Sequence, residues 1–160
     1  MSTVLARVDN RLVHGQILET WVNFTDANSI VVFNDDVYFN DLQKDIIRAF
    51  VPSYIDVVIR KLDDVPRLIE YISNENQRCI VLFFNVHDAL NAYKNGLLFT
   101  KLNLGNIHCQ SNSRQITPTI YLSGEDIEHL KALEGMGIKV EIKAVPQERG
   151  TSLIKAFKKF

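Results

Sequence analysis

Long apolar runs are missing from this sequence: the longest uninterrupted one covers only residues 79–84. A membrane helix needs roughly 18 such residues, so no spanning helix is expected and any membrane association has to go through a partner. The opening residues, Met1-Ser2-Thr3-Val4, show no basic stretch leading into an apolar core, so a secretory signal is not expected either. Both features favour a cytoplasmic location. Cysteine is scarce. Cys79 sits in the apolar run and reads as a buried thiol, Cys109 sits in a polar segment, and no disulfide framework is implied. An excess of one charge is also lacking. Lys and Arg number 18 against 19 Asp and Glu, without the basic stripe of a nucleic-acid module. Glycine and proline number only 7 and 4, and no repeat, linker or low-complexity segment divides the chain. Neither a Gly-rich nucleotide loop of the Walker type nor the usual zinc spacing occurs.

What remains is a chain of 160 residues, 46% hydrophobic and 23% charged. That length suits one domain, residues 1–160, with a core large enough to need no metal or disulfide staple. Strand-like and helix-like patterns alternate along it. Apolar or β-branched runs at 3–8, 29–33, 55–60, 78–84, 101–104 and 119–122 read as strands. Between them, apolar residues recur at helical spacing: Ile17, Leu18, Trp21 and Val22; then Leu42, Ile46, Ile47 and Phe50; then Leu68, Ile69 and Ile72. Asp63 is placed to cap the third of these helices, with Pro66 in its first turn. A short helix is expected over 88–95, ended by Gly96. Ser123 with Asp126 resembles a capping box for a helix carrying Ile127, Leu130 and Leu133, which Gly135 and Gly137 close. Residues 138–144 alternate apolar and charged side chains, as a half-exposed edge strand would. Leu153, Ile154 and Phe157 mark a terminal helix, with Lys155, Lys158 and Lys159 facing water. The expected fold is α/β: a single-domain open, mainly parallel β-sheet flanked by helices on both faces, with an antiparallel edge strand. Such sheets bind ligands beyond the C-terminal ends of their strands. That rule selects the loops at 9–14, 34–36, 85–88 and 105–114.

The loop at 9–14 carries the most chemistry. His14 falls at the start of the first helix, where free backbone N–H groups and the helix dipole favour an anion. Gly15 has no side chain to keep an anion from the backbone. Arg11 has the planar fork to grip two phosphate oxygens. Asp9 can hold one imidazole nitrogen or orient Arg11, leaving the other nitrogen to attack. These parts suit phosphoryl transfer, where positioning and charge neutralisation do most of the work. With no nucleotide loop, a protein-bound phosphoryl donor fits better than ATP. Taken singly, each residue also has a plain structural reading: His14 as a surface residue near a cap, Arg11 as a solvated loop charge, Asp9 as a turn former.

The segment Arg7-Val8-Asp9-Asn10-Arg11-Leu12-Val13-His14-Gly15-Gln16 resembles the active-site signature of mannose/fructose/sorbose-family enzyme IIB proteins of the bacterial phosphotransferase system. The similarity continues through Trp21, through Ile30-Val31-Val32-Phe33-Asn34-Asp35-Asp36, and through Leu102-Asn103-Leu104-Gly105-Asn106-Ile107-His108. Arg114-Gln115-Ile116-Thr117, Glu125-Asp126-Ile127 and Val145-Pro146 follow in the family's order. Two stretches depart from it: Phe84-Asn85-Val86-His87, and His108-Cys109-Gln110-Ser111-Asn112-Ser113. The resemblance implies that His14 is phosphorylated, on its δ nitrogen, by a phosphohistidine of enzyme IIA. It implies that His14 then passes the group to a sugar held by the membrane permease, enzymes IIC and IID. Asp9 and Arg11 take the family's acidic and basic positions, and Gly15 and Gln16 complete the phosphate-binding motif. Asp35, Gly105, Asn106 and His108 become candidates for lining the cleft. No metal and no cofactor is implied.

Other clusters were weighed against this. Asp35 and Asp36 evoke the metal-binding acids of aspartate-phosphorylated receiver domains, but Ile59-Arg60-Lys61 offers no phosphorylatable Asp after the third strand. A non-catalytic anion-binding module remains the other reading of the same loop. Adjacent His108 and Cys109 make a weak metal signal. His87 is expected on a loop and His129 on a helix surface, while Trp21 shares a stripe with Ile17 and Leu18 and is expected in the core.

Overall fold

β-Branched and aromatic runs form strands because their side chains fill a pleated, buried surface. The computed structural model describes residues 2–72 and 76–158. Its strands are β1 (Ser2–Asp9), β2 (Ser29–Phe33), β3 (Asp56–Arg60), β4 (Arg78–Phe83), β5 (Lys101–Asn106), β6 (Ser113–Thr117), β7 (Ile120–Ser123), β8 (Lys139–Ile142) and β9 (Thr151–Ser152). Seven of them make one sheet in the order β3-β2-β4-β1-β5-β8-β9. All neighbours in it run parallel except β8 and β9. The expected fold class is therefore the observed one, but its antiparallel edge is not the segment at 138–144. β8 pairs parallel to β5 and is covered in turn by β9, which the sequence gives no reason to pair because it holds only Thr151 and Ser152.

Helices cover both faces. On one side lie α1 (Val22–Thr25), continuous with a π-helical turn Ile17–Trp21, then α2 (Asp35–Tyr38) and α3 (Asp41–Phe50). Trp21, Val22, Val37 and Ile47 pack there against Ile30, Val32, Ile80 and Leu82. On the other side lie α4 (Val65–Ile72), α5 (Val86–Lys94), α6 (Gly124–Gly135) and α7 (Leu153–Phe157). They meet Ala6, Val8, Val31, Val81 and Leu104 of the sheet. β2 and β4 are buried on both faces, which explains why their sequences are continuous apolar runs rather than alternations.

Four local readings change. A 3-10 turn, Leu62–Asp64, precedes α4, so Asp63 lies within that turn rather than capping the helix. α5 starts at Val86, because the Asn85 side chain accepts the Asp88 N–H at 2.7 Å and caps it. His87 is consequently helical, not on a loop. β6 lies partly in a stretch read as polar loop. It forms an antiparallel hairpin with β7, and Ile116 is its only buried residue, so it has no apolar alternation to reveal it. The apolar stripe of α3 is present, yet Leu42, Ile46 and Phe50 are 71%, 58% and 54% exposed, and only Ile47 meets the core. Helical spacing identifies a helix without saying what covers its face. The capping box of α6 is complete: Asp126 N donates to Ser123 Oγ at 3.0 Å and Ser123 N to Asp126 Oδ2 at 2.9 Å. Lys155 and Lys158 are exposed as expected, whereas Lys159 and the Ile72 side chain lie outside the described residues.

β1 is the centre of the sheet, between β4 and β5. The chain leaves β1 toward β2 on one side and leaves β5 toward β8 on the other, so the strand order reverses at this pair. The loop after β1 thus opens at the switch point where such sheets bind ligands. Gly105 is fitted to this place. A Cβ there would lie 1.9 Å from Arg7 Cζ, inside the guanidinium of a fully buried arginine. Gly105→Ala is expected to displace Arg7 and to lower unfolding free energy by at least about 1–3 kcal/mol in urea titrations. Unchanged stability would show that Arg7 is not held against β5.

Candidate active site

Period-two geometry places Arg7 and Asp9 on the same face of β1, below α1, while Ala6 and Val8 turn to the opposite core. Both charged side chains are completely buried. Arg7 Nη2 donates to Asp9 Oδ2 at 2.9 Å. Its other amine meets Asn103 Oδ1 and, at 3.0 Å, Lys143 O, and Nη2 also reaches Ala144 O at 3.2 Å. The guanidinium lies 5.2 Å from the Trp21 ring centroid, and Trp21 Nε1 donates to Ala144 O at 3.1 Å. Trp21 is thus a core residue, as its stripe implied, and it also shields this ion pair from water.

Asp9 connects that buried pair to the loop. Its Oδ1 accepts from Arg11 N at 3.1 Å and from Arg11 Nε at 3.0 Å, and its Oδ2 accepts from Arg11 Nη2 at 3.0 Å. His14 Nε2 sits 3.1 Å from the same Oδ2. Leu12 takes a left-handed backbone conformation (φ 55°), and its N–H donates to Asp9 O at 2.9 Å, so the loop doubles back over the carboxylate. Burial alone would raise the Asp9 pKa. Hydrogen bonds from His14 and Arg11 and the charge of Arg7 outweigh burial and hold the carboxyl well below its usual range. Burial lowers the Arg7 pKa, against the attraction of Asp9.

His14 immediately precedes the first helix. Its carbonyl accepts Ile17 N at 3.0 Å and Leu18 N at 3.3 Å, leaving the N–H groups of Gly15 and Gln16 as the unused donors of the first turn. The His14 side chain is 16% exposed. With Nε2 on Asp9, Nδ1 is the nitrogen available for chemistry. Gly15 has no packing reason to be glycine: a Cβ there would meet only Glu19 Oε1, at 3.9 Å. Gln16 Oε1 accepts from Arg11 Nη2 at 3.3 Å, so it braces Arg11.

The four cleft candidates divide. Asp36, not Asp35, lines the cleft beside Arg11, together with Asn10, Leu12, Val13, Asn34, Gln43, Ile46, Ile47 and Phe84. Asp35 instead accepts Leu62 N at 2.9 Å and ties α2 to the turn after β3. Gly105 is buried, with the Arg7 guanidinium filling the space a side chain there would take. Asn106 O accepts Asn10 N at 3.0 Å. His108 is exposed, and its backbone N–H donates to Asn10 Oδ1.

Two contributors escaped the sequence reading. Asn10 links the three central loops, since its Nδ2 also donates to Phe84 O at 2.6 Å. Arg7 was part of the motif without an assigned role. Its position two residues before Asp9 on one strand was the available signal.

A histidine held by a buried carboxylate, beside an arginine fork and a helix start on an open α/β sheet, is an arrangement able to take an anionic group on imidazole. The family model for the "PTS system sorbose subfamily IIB component" matches residues 3–160. The N-acetylgalactosamine-specific phosphotransferase enzyme IIB component 2 of Escherichia coli is 30% identical over 152 residues, covering 95% of this chain and 96% of that protein. The mannose-specific EIIAB component of Escherichia coli is 28% identical over 144 residues, covering 88% of this chain and 44% of that protein. The crystal structure of the IIBSor domain of the sorbose permease from Klebsiella pneumoniae superposes with a TM-score of 0.91 at 25% identity, covering 99% of this chain and 98% of that one. The chain belongs to the sorbose subfamily of phosphotransferase-system IIB components, and its work is phosphoryl transfer in sugar transport. Among the described residues, no helix is long and apolar enough to cross a membrane.

Removing the Asp9 charge leaves Arg7 buried without a counter-ion. Asp9→Asn is expected to cost about 3 kcal/mol at pH 7. The native Asp9 carboxyl titrates below its unfolded value of about 3.9, so the unfolded chain takes up the proton first. The contribution of Asp9 is therefore full above about pH 5 and declines as pH falls through its native pKa. Urea titrations at several pH values should show the gap between wild type and Asp9→Asn narrowing below about pH 4. A pH-independent gap would deny the carboxylate this role.

Proposed function

We propose that His14 is the phosphorylated residue, loaded by a phosphohistidine of a IIA protein and unloaded onto a sugar held by a IIC/IID permease, with residues 3–160 acting as one cytoplasmic IIB unit. The observation that carries this reading is the engagement of His14 Nε2 by Asp9 at 3.1 Å. A proton on Nε2 donates to the carboxylate, so the neutral ring keeps its lone pair on Nδ1. That is the nitrogen the family resemblance assigns. In loading, the donor N–P bond breaks as a bond from His14 Nδ1 to phosphorus forms. The ring becomes cationic, and Asp9 balances it through Nε2–H. In unloading, a sugar hydroxyl oxygen bonds to phosphorus as the bond to His14 Nδ1 breaks, the ring returns to its neutral Nε2–H form, and the hydroxyl proton passes to solvent.

Charge at the site favours the group in transit. Arg7 and Arg11 share one carboxylate, so the cluster keeps a net positive charge before His14 is counted. Arg11 is 39% exposed and can turn its fork to the phosphoryl oxygens. The free N–H groups of Gly15 and Gln16 add donors to the same side. The name of the mannose-specific EIIAB relative, which joins A and B components in one protein, supports IIA as the donor. The exposed apolar face of α3 adjoins the cleft at Arg11 through Ile46, and a donor histidine reaching His14 has to cover this neighbourhood. We assign that face to IIA.

The site is tested with phosphorylated IIA. His14→Gln should take up no acid-labile phosphoryl group. Arg11→Ala should slow both loading and unloading by about 100-fold, the scale of one lost charge-stabilising donor. Gly15→Ala should fold normally, since space is open there, yet load more slowly because its methyl group covers the anion donors. Label on the His14→Gln variant would move the phosphorylation site elsewhere. Phosphate binding without onward transfer to sugar would leave a binding module. The docking assignment is tested separately: Ile46→Asp should raise KM for phospho-IIA several-fold with little change in kcat. An effect confined to sugar transfer would give the α3 face to the permease instead.

A further inference from the structure

Away from His14, the first turns of α5 and α6 bring three metal-binding side chains together. Asn85 caps α5 and sets His87 in its first turn. The Ser123–Asp126 capping box fixes the start of α6, so Glu125 and His129, four residues apart, share one face of that helix. The two helices pack through Ala89, Leu90, Leu130 and Leu133, which anchors the three side chains on a rigid base. The ring centroids of His87 and His129 are 5.1 Å apart. One ligand atom from each of His87, Glu125 and His129 lies within 4.8 Å of the others. The His129 Nε2 to Glu125 Oε1 distance is 3.8 Å. In a tetrahedral zinc site with bonds of about 2.0–2.2 Å, neighbouring ligand atoms stand about 3.4 Å apart. Small side-chain rotations therefore close the triangle.

We propose that His87, Glu125 and His129 form a binding site for a divalent transition-metal ion, Zn²⁺ being the one its chemistry suits. The two imidazoles are borderline donors and the carboxylate a hard one, and two His with one Glu is a combination that holds zinc. They match Zn²⁺ and its neighbours rather than Mg²⁺ or Ca²⁺, which take oxygen ligands. The fourth position is open toward a cleft also lined by Asn85, Gln110, Ser123 and Asp126. Both rings have a nitrogen in reserve. His129 Nδ1 is buried with no hydrogen-bond partner among the described residues. His87 Nε2 lies 2.7 Å from the Asn91 side-chain amide, which can present its oxygen to an Nε2–H and hold the ring while Nδ1 ligates. The site shares no residue with the Asp9–His14 cluster and does not depend on the phosphoryl reading. An ion here would pin α5 to α6 beside Gln110, in the loop that departs from the family pattern, and so act as a structural clamp.

The test uses the whole chain in a Cys109→Ser, His14→Gln, His108→Gln background, which removes the exposed thiol and the two other rings as competing ligands. Metal-free protein is titrated with ZnCl₂ by calorimetry, and Co²⁺ is followed by its visible absorption. One equivalent of Zn²⁺ should bind and raise the melting temperature by mass action, while Mg²⁺ should do neither. His87→Ala and His129→Ala should each weaken Zn²⁺ binding by more than about 100-fold, beyond what loss of an outer partner costs. Circular dichroism confirms that each variant folds, and His87→Ala, at an exposed position, keeps the test valid if His129→Ala does not. Absence of a saturable equivalent, or affinity unchanged in the folded variants, overturns the site.

Discussion

A single carboxylate organises this protein's chemistry. Asp9 is buried, ionised and shared among Arg7, Arg11 and His14. A lone carboxylate in that position would be forced to protonate, because desolvation penalises its charged form. Three partners reverse the balance. The same bonds that keep Asp9 charged also orient the ring, pull Arg11 over the loop and seat the loop on β1. On the proposed function, stability and chemistry are thus linked through one residue, and the cluster is assembled within this chain alone.

Arg7 shows how far inward that arrangement reaches. A fully buried guanidinium needs every donor satisfied, and it finds Asp9, Asn103 and the carbonyls of Lys143 and Ala144. These partners come from β1, β5 and the segment after β8, three neighbours in the sheet. The end of the sheet that carries the Asp9–His14 cluster is therefore tied laterally by polar contacts rather than by apolar packing alone. Gly105 leaves room for the guanidinium, and Trp21 covers it. Much of a motif that reads as catalytic is in this sense architecture beneath the catalyst.

The sheet was legible because its strands are apolar runs separated by helical periodicity, and the loop at 9–14 was legible because its residue types have few other uses together. β6, β9 and the early start of α5 were not. A strand such as β6, with one buried residue, or β9, with two hydroxyl residues, is held by pairing with a neighbour, and pairing leaves no periodic trace in the strand itself. Asn10 escaped for a related reason. An asparagine after a strand is an ordinary turn residue, and only the tertiary arrangement turns its amide into a link between the loops after β4 and β5. Asp35 shows the opposite error: adjacent acids at a strand end suggested a common role, while helical geometry sent one to Leu62 N and the other to the cleft.

The placement of exposed apolar surface follows from what a carrier must do. On the reading that His14 carries the phosphoryl group, its ring has to be reached in turn by two different proteins, and the site cannot be enclosed in a deep pocket. The His14 side chain is 16% exposed, and on that reading it is fully shielded only while a partner covers it. The uncovered side chains of Leu42, Ile46 and Phe50 on α3 are the surface proposed for that cover, with Ile46 lining the cleft beside Arg11. Burying them permanently against the sheet would add hydrophobic stability. On the proposed docking, leaving them exposed would make desolvation of the phosphoryl group coincide with the encounter, when the low dielectric would strengthen the pull of Arg11 and the helix N–H groups.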